Sequence, residues 1–285
     1  VKRSNIKLEI FREIIDKVRE FKPGFVGLSA NASMWTKAMK TAEDIKAIDP
    51  SIHVTAAGPY PSAVEEQCLE KCEHLDSVVI GEGEETVPEL IDRLVRGESL
   101  AGVAGVAFRA EDGAIIKNEP RPLIEDLDTI PIPDRTLLGD FEQYKSPPGS
   151  YKKKPVAIVM TSRGCKARCI YCFQMKGERR IRFRGVESVV KEIEELVNHY
   201  GFREIRFLDE TFTADRDRAL DDLPATESEA AQVQLLCFLP GQHRGLRAAQ
   251  GDEESRLLGH PLWGRKRRAE EPEHHEEGHQ AGTDP

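Results

Sequence analysis

Three cysteines lie close together in the middle of the chain, at Cys165, Cys169 and Cys172, in the spacing C-x3-C-x2-C. Three thiolates this close can bind one metal centre. A four-iron–four-sulfur (4Fe–4S) cluster usually takes four cysteine ligands, so three would leave one iron open to a ligand that is not protein. Zinc is the first competitor, but a closed structural zinc site needs four donors, and no His or fourth Cys lies nearby in the sequence. The other alternative is three unrelated thiols, although six cysteines in the whole chain make a chance group of three unexpected.

The residues around these cysteines resemble the motif of the radical S-adenosylmethionine (radical SAM) enzymes. Tyr171 stands just before the third cysteine, and an Arg-Gly pair stands just before the first. In that family the amino and carboxylate groups of S-adenosylmethionine (SAM) chelate the open iron, and one electron from the cluster releases a 5′-deoxyadenosyl radical. The resemblance implies that Cys165, Cys169 and Cys172 are the cluster ligands and that Tyr171 lies near the adenine. It also implies an electron donor such as flavodoxin or ferredoxin.

The elements that would position this motif begin with an alternation of strands and helices. Hydrophobic periodicity and Gly or Pro breaks predict helices over residues 5–21, 33–48, 61–72 and 86–96, and strands over residues 25–29, 53–58 and 76–80. This spacing predicts an α/β fold with a doubly wound parallel sheet and helices on both faces. We expect the first strand of this domain to be missing from the given sequence, which is consistent with truncation.

Small or turn residues occur at the ends of three of the predicted strands: Ser29, Gly58, Gly81 and Gly83. Ligands of such sheets bind at the carboxyl ends of the strands, although a glycine after a strand is usually only a turn. The stretches A-G-P-Y-P at residues 57–61 and V-I-G-E-G-E at residues 79–84 resemble the cobalamin-binding domain of cobalamin-dependent radical SAM enzymes. The resemblance implies that Ser29, Gly58, Gly81 and Gly83 line the corrin and the nucleotide tail. The D-x-H-x-x-G segment that supplies an axial His in many cobalamin domains is absent from the sequence.

A second pair of cysteines, Cys68 and Cys72, falls on one face of the predicted helix 61–72. Such a pair could bind a metal ion, but thiols on a buried helix commonly pack as small apolar side chains. We therefore favour core packing for Cys68 and Cys72.

The second half of the chain begins with a predicted hairpin over residues 103–117, about Asp112-Gly113. Residues 118–150 are rich in Pro, Asp and Gly and predict an extended linker. An apolar strand over residues 155–160 would deliver Cys165 to its carboxyl end, as in the first unit of a partial (β/α) barrel.

The predicted barrel continues with a helix over residues 186–199 and a strand over residues 204–208, which ends in Asp209 and Glu210. The radical SAM family places an acid here, so the resemblance implies that Asp209 or Glu210 holds the methionine ammonium of SAM. The alternative is an N-cap for the next helix.

Four arginines follow the cysteine motif: Arg179, Arg180, Arg182 and Arg184. A solvated face is the default interpretation of such a run. The sharper hypothesis is that these arginines help to neutralise the SAM carboxylate or an anionic substrate.

The sequence changes character after Leu220. Residues 221–285 show no sustained period, which predicts an irregular tail, although a barrel begun at Pro155 should not end after two strands. A shifted reading frame permits segments that resemble later parts of the radical SAM barrel, so we hypothesise that one nucleotide was gained or misread near Leu220. The predicted organisation is a cobalamin-binding-like domain (residues 1–117), a linker (118–150), the first units of a radical SAM core (151–220) and a frameshifted tail (221–285).

Whole-chain properties narrow the function classes. The formal net charge of −9 does not support nucleic-acid binding through a global basic field. No apolar run approaches the roughly 20 residues that a membrane span needs. The cysteines are grouped as for a metal, and not spread as a disulfide framework, so a reducing cytoplasm is expected.

Three functions are compatible with these observations. The first is a cobalamin-dependent radical SAM enzyme that performs methyl transfer, or C–H rearrangement or oxidation, on a small molecule. The second is a non-catalytic chain, either a truncated remnant or a cofactor-binding module. The third is an RNA methylthiotransferase, which the acidic charge and the cofactor-type pattern of the N-terminal region argue against.

Overall fold

The computed structural model describes residues 13–139, 141, 151, 153–169, 172–174, 179–215 and 234–236. Its first part contains a helix over residues 13–21 (α1) and four further helices: Trp35–Ile48 (α2), Pro59–Val64 (α3), Gln67–Lys71 (α4) and Gly83–Val95 (α5). Five strands accompany them: Phe25–Ser29 (β1), His53–Ala57 (β2), Ser77–Val79 (β3), Val106–Arg109 (β4) and Ile115–Lys117 (β5).

The five strands form one sheet in the order β1-β2-β3-β4-β5. The first three are parallel, and β4 and β5 are antiparallel to their neighbours. The hairpin predicted over residues 103–117 is confirmed, with its turn at Gly113, where a φ of +86° suits glycine. The carboxyl ends of β1, β2 and β3 therefore meet at one edge of the sheet.

Alternate residues along the strands serve two different cores. Val54 and Val78 face a cluster that includes Ile45 of α2 and Leu69 of α4, whereas Val79 faces a second cluster that includes Leu90 of α5. The fully buried leucines and isoleucine each stabilise the fold by about 1.5–3 kcal/mol relative to exposure. Helices thus cover both faces of the sheet, as the α/β pattern predicts.

One predicted helix is broken in the structure. Residues 61–72 were expected to be continuous, but α3 ends before Glu65, whose φ of +51° turns the backbone, and α4 then restarts the helix. The interpretation of Cys68 and Cys72 as core residues is confirmed, because both thiols are buried in the first core. Burial raises the pKa of the Cys68 thiol to about 12 and also raises that of Cys72, so both favour the thiol form.

The second part contains a three-stranded parallel sheet in the order β10-β9-β6, formed by Val156–Val159 (β6), Glu204–Phe207 (β9) and Gln234–Leu236 (β10). Helix Val186–Glu194 (α6) continues as a π-helix over Glu195–His199, and Ser162–Arg163 (β7) pairs antiparallel with Arg182–Phe183 (β8). The pattern of residues 221–285 predicted no strand, whereas the structure adds β10. The pattern failed here because three residues are too few to show a period of two.

The segment predicted as an extended linker contacts the second part of the chain within residues 118–139. It contains two short 3₁₀ turns and buries Leu127. Arg135 donates from Nη2 to Oε1 of Glu192 at 2.6 Å, and Asp128 accepts the amide of Gly185 at 2.8 Å, where α6 begins. These contacts fix the segment against α6, while the domain boundaries themselves stay a prediction.

Among the described residues, no helix combines the length and the apolar character that crossing a membrane requires.

Candidate functional site

Ser29 and Gly58 lie together at the carboxyl edge of the first sheet. Ser29 ends β1 and pairs in register with Ala57, the residue before Gly58. Gly58 has a φ of +98°, and a Cβ added to it would lie 2.9 Å from the Ser29 hydroxyl and 3.2 Å from the backbone of Ala30. Glycine is therefore required at this position, because both the backbone angle and the close approach exclude a side chain.

Gly81 occupies the same edge after β3 and has a different reason to be glycine. Its amide donates to the Ser62 hydroxyl at 3.0 Å, and its φ is +90°. A Cβ added to Gly81 would meet no atom within 4 Å, so the space beside it is open. Gly83 begins α5, and an added Cβ would make only an ordinary contact with Val87 at 3.5 Å. The open cradle at Gly81 fits the approach of a bulky ligand, whereas Gly83 is not required to be glycine on steric grounds.

The cysteine motif follows β7 on the loop that leads to β8. All three thiols are free: Cys165 is half-buried, and Cys169 and Cys172 are exposed. The Cys165 sulfur lies 3.5 Å from the Thr211 hydroxyl, and the amide of Cys172 donates to the carbonyl of Cys169 at 3.2 Å. Free cysteine thiols are the usual ligands of an iron–sulfur cluster, and these three can be reached from solvent, so this donor set fits such a cluster.

The described side chains contain no group of three or more His, Cys, Asp or Glu placed to hold a metal ion. The structure thus puts the three thiols on one loop without gathering them, and their role as ligands stays a prediction. Tyr171, which we predicted to lie near the adenine, falls outside the described residues.

Asp209 joins the carboxyl ends of β6 and β9. Its Oδ1 accepts four hydrogen bonds, from the amide and hydroxyl of Thr161 at 2.9 and 3.1 Å, from the hydroxyl of Ser162 at 2.6 Å and from the Ser162 amide. Its Oδ2 is buried and has no hydrogen-bond partner among the described residues. Glu210 is exposed, and Thr211 is the N-cap of the following 3₁₀ turn, so neither acid caps it. Of the two, Asp209 has the oxygen that fits a buried ammonium.

Glu82, between Gly81 and Gly83, links the two parts of the chain. Its Oε1 accepts from Arg163 at 2.8 Å and from Arg182 at 2.9 Å, and its Oε2 accepts from Arg182 at 2.9 Å and from the Ile124 amide at 2.8 Å. The side chains of Glu82 and Arg182 are 6% and 3% exposed, respectively. Burial alone would raise the pKa of Glu82, but the hydrogen bonds from Arg182, Arg163 and Ile124 hold that pKa below its usual range.

Three of the four arginines after the cysteine motif pair with different carboxylates. Arg182 pairs with Glu82, Arg184 pairs with buried Glu192, and Arg180 pairs with exposed Glu125. The guanidiniums of Arg182 and Arg184 thus already have buried carboxylate partners within the protein, contrary to the solvated-face interpretation for these two residues. That the arginines help to neutralise the SAM carboxylate or an anionic substrate stays a prediction. No local pattern indicates this role of Glu82, because its hydrogen bonds to Arg163 and Arg182 span 81 and 100 residues.

Two family models match the chain. Residues 3–91 match the B12 binding domain, and residues 159–240 match the Radical SAM superfamily. The second match begins at the end of β6 and includes the cysteine motif, β9 and β10.

The proteins similar to this chain include two curated relatives and one solved structure. An uncharacterized methyltransferase of Pyrococcus horikoshii is 37% identical over 212 residues, which are 74% of this chain and 45% of the relative. The anaerobic magnesium-protoporphyrin IX monomethyl ester cyclase of Rubrivivax gelatinosus is 32% identical over 73% of this chain and 37% of the relative. The cobalamin-dependent SAM radical enzyme OxsB, solved with aqua-cobalamin bound, superposes with a TM-score of 0.66 at 22% identity, over 79% of this chain and 32% of that one. The chain thus spans less than half the length of each of these proteins.

Proposed function

The chain belongs to the radical SAM proteins that carry a B12-binding domain, and from this premise we propose that it forms part of a cobalamin-dependent radical SAM enzyme. Its relatives include a methyltransferase and a cyclase. The proposed reaction is therefore methyl transfer, or C–H rearrangement or oxidation, on a small molecule. The B12-binding match at the N-terminus does not favour the RNA methylthiotransferase alternative, since those enzymes carry a different, cysteine-bearing domain there.

The observation that carries this proposal is the contact between the two candidate cofactor edges. The turn Gly81–Gly83 leaves the carboxyl edge of the first sheet, and its Glu82 binds Arg163, which lies two residues before Cys165. The open space at Gly81 and the thiol loop thus belong to neighbouring segments of one molecule. An enzyme that uses cobalamin and an iron–sulfur cluster on one substrate needs this arrangement, since both groups must reach the same reaction space.

The residues predicted from the sequence have distinct proposed roles in this enzyme. Cys165, Cys169 and Cys172 would hold the cluster, and the buried Oδ2 of Asp209 would accept the methionine ammonium of SAM. Ser29, Gly58, Gly81 and Gly83 would line the corrin and its nucleotide tail, and Tyr171 would lie beside the adenine. When bound, the cluster and SAM supply the radical chemistry of the family, and cobalamin supplies a methyl carrier or redox partner. A flavodoxin or ferredoxin would deliver the electron in a reducing cytoplasm.

Anaerobic reconstitution with iron and sulfide tests the cluster. We expect about four irons per chain in the wild-type protein. Cys165→Ala should lose most of this iron, whereas Cys68→Ala should retain it because the Cys68 thiol is buried in the core. A wild-type chain that takes up no iron would favour the non-catalytic alternative. Equal losses in the two variants would contradict the assignment of the loop cysteines.

Titration with hydroxocobalamin, followed by its visible absorbance, tests the first sheet edge. Gly81→Ala should weaken binding about tenfold, because the added methyl enters the space proposed for the corrin. Gly97→Ala is the matched control: Gly97 also has a positive φ and open space around it, but it lies past the other end of α5. Equal effects of the two substitutions, or no binding by the wild type, would contradict this site.

A further inference from the structure

We propose that Glu82 is a positioning residue that closes the base of the cysteine loop by neutralising two arginines that face each other across the β7–β8 pair. The effect of Glu82 on the retention of an iron–sulfur cluster rests on the proposed function, whereas its effect on the closure of the loop does not. In the register of this short ladder, Arg163 lies opposite Arg182 and Ser162 lies opposite Phe183.

Two like charges directly opposite in an antiparallel pair destabilise the pairing. The cost is large here, because the Arg182 side chain is 3% exposed and that of Arg163 is 20% exposed, so water screens them little. The carboxylate of Glu82 offsets this repulsion, since it binds both guanidiniums at 2.8–2.9 Å. Glu84 adds a second carboxylate on Arg163 from the first turn of α5.

The β7–β8 pair is also the closure of the cysteine loop. Arg163 is followed directly by Gly164 and Cys165, and the chain returns through Cys172 to Arg182. Because Glu82 comes from the turn after β3, the loop is closed only while the edge of the first sheet lies against it. The Ile124 backbone joins the same group, since its amide donates to Glu82 and its carbonyl accepts from Arg182. Docking of the first sheet and closure of the loop are thus one event.

Hydrogen exchange on the full-length, metal-free chain tests this role without any cofactor. In Glu82→Gln, the amides of residues 161–163 and 182–184 should exchange about tenfold faster or more, since Arg163 and buried Arg182 lose their common anion. Amides of β1 and β2 should be unchanged and serve as an internal reference. Glu125→Gln is the matched control, because it removes an exposed partner of Arg180 in the same loop. Uniform acceleration across the chain, or equal effects of the two variants, would overturn the proposal.

The double variant Glu82→Gln with Arg182→Gln separates charge neutralisation from simple packing. Removing one of the opposed cations should return the exchange of residues 161–163 to within about twofold of the wild type. If Glu82→Gln alone does not fold, recovery of folding in the double variant supports the same conclusion. A double variant that is as open as the single one, or more so, would overturn it.

Iron release to a chelator extends the test to the cluster. With the cluster reconstituted, Glu82→Gln should lose iron about tenfold faster than Glu125→Gln. If no protein in the set assembles a cluster, the proposed function fails, and hydrogen exchange still decides the role of Glu82. If clusters assemble and all release iron equally, the positioning role fails while the proposed function stands.

Discussion

Replacing Asp209 with alanine should destabilise the second part of the chain severely. Oδ1 of Asp209 is the shared acceptor for the amides and hydroxyls of Thr161 and Ser162. Thr161 is 0% exposed and Ser162 is 2% exposed, so these donors would lose the acceptor without gaining water. One hydrogen bond to a charged group contributes about 1.5–3 kcal/mol, and an unsatisfied buried donor costs about 1–3 kcal/mol. Because all four bonds share one oxygen they are not additive, and we expect a loss of about 3–5 kcal/mol.

Urea unfolding of the metal-free protein, followed by far-ultraviolet circular dichroism, measures this loss. Asp209→Asn is the matched control, since it keeps one oxygen as acceptor and removes the charge, and it should cost about 1–2 kcal/mol. Glu210→Ala removes the neighbouring exposed acid and should change the free energy of unfolding by less than about 0.5 kcal/mol. If Asp209→Ala is as stable as Glu210→Ala, the proposed tie between the ends of β6 and β9 is refuted.

Three further predictions concern other described residues. Iodoacetamide at mildly alkaline pH should label Cys169 and Cys172 of the reduced, metal-free protein quickly and Cys68 only after unfolding. The reason is that burial raises the pKa of the Cys68 thiol to about 12. Labelling of Cys68 at the same rate as the loop cysteines would contradict its burial. Gly58→Ala should lower the free energy of unfolding by about 2 kcal/mol, whereas Gly24→Ala, where φ is not positive and space is open, should cost less. Hydrogen bonds lower the pKa of Glu82 in the folded state. The contribution of Glu82 to the free energy of unfolding should therefore be complete above the ordinary glutamate pKa of about 4.3, and it should fall as the pH drops through the folded-state pKa. The difference in stability between wild type and Glu82→Gln should therefore shrink in acid, and a difference that is constant from neutral to acid pH would contradict this.

The sequence predicts the first sheet well because turn residues mark the ends of its strands and helices clearly. Gly and Pro residues separate apolar strands from amphipathic helices, so the elements and the edge that carries Ser29, Gly58 and Gly81 could all be inferred. The helix break at Glu65 could not, because its positive φ falls on a residue type that gives no local indication of a turn.

The cysteine pairs show why spacing alone does not define a site. Cys68 and Cys72 have the same C-x3-C spacing as Cys165 and Cys169. Burial separates them: the first pair lies in an apolar core with raised pKa values, and the loop pair is accessible to solvent. Only the position of each pair in the fold, and for the loop pair a third cysteine, distinguishes a core thiol from a candidate ligand.

The contact through Glu82 could not be predicted from the sequence in any form. A V-I-G-E-G-E stretch indicates a strand end and a helix start, and an arginine run indicates a solvated face. That one glutamate binds arginines on both strands of a distant hairpin depends on tertiary packing across 81 and 100 residues, which no local pattern encodes.

Electron paramagnetic resonance of the anaerobically reconstituted and reduced chain, recorded before and after addition of SAM, tests whether the three loop cysteines hold a cluster that binds SAM. We predict a cubane 4Fe–4S signal that changes when SAM binds the iron left open by Cys165, Cys169 and Cys172. Absence of a cubane signal, or a signal that added SAM leaves unchanged, would contradict it.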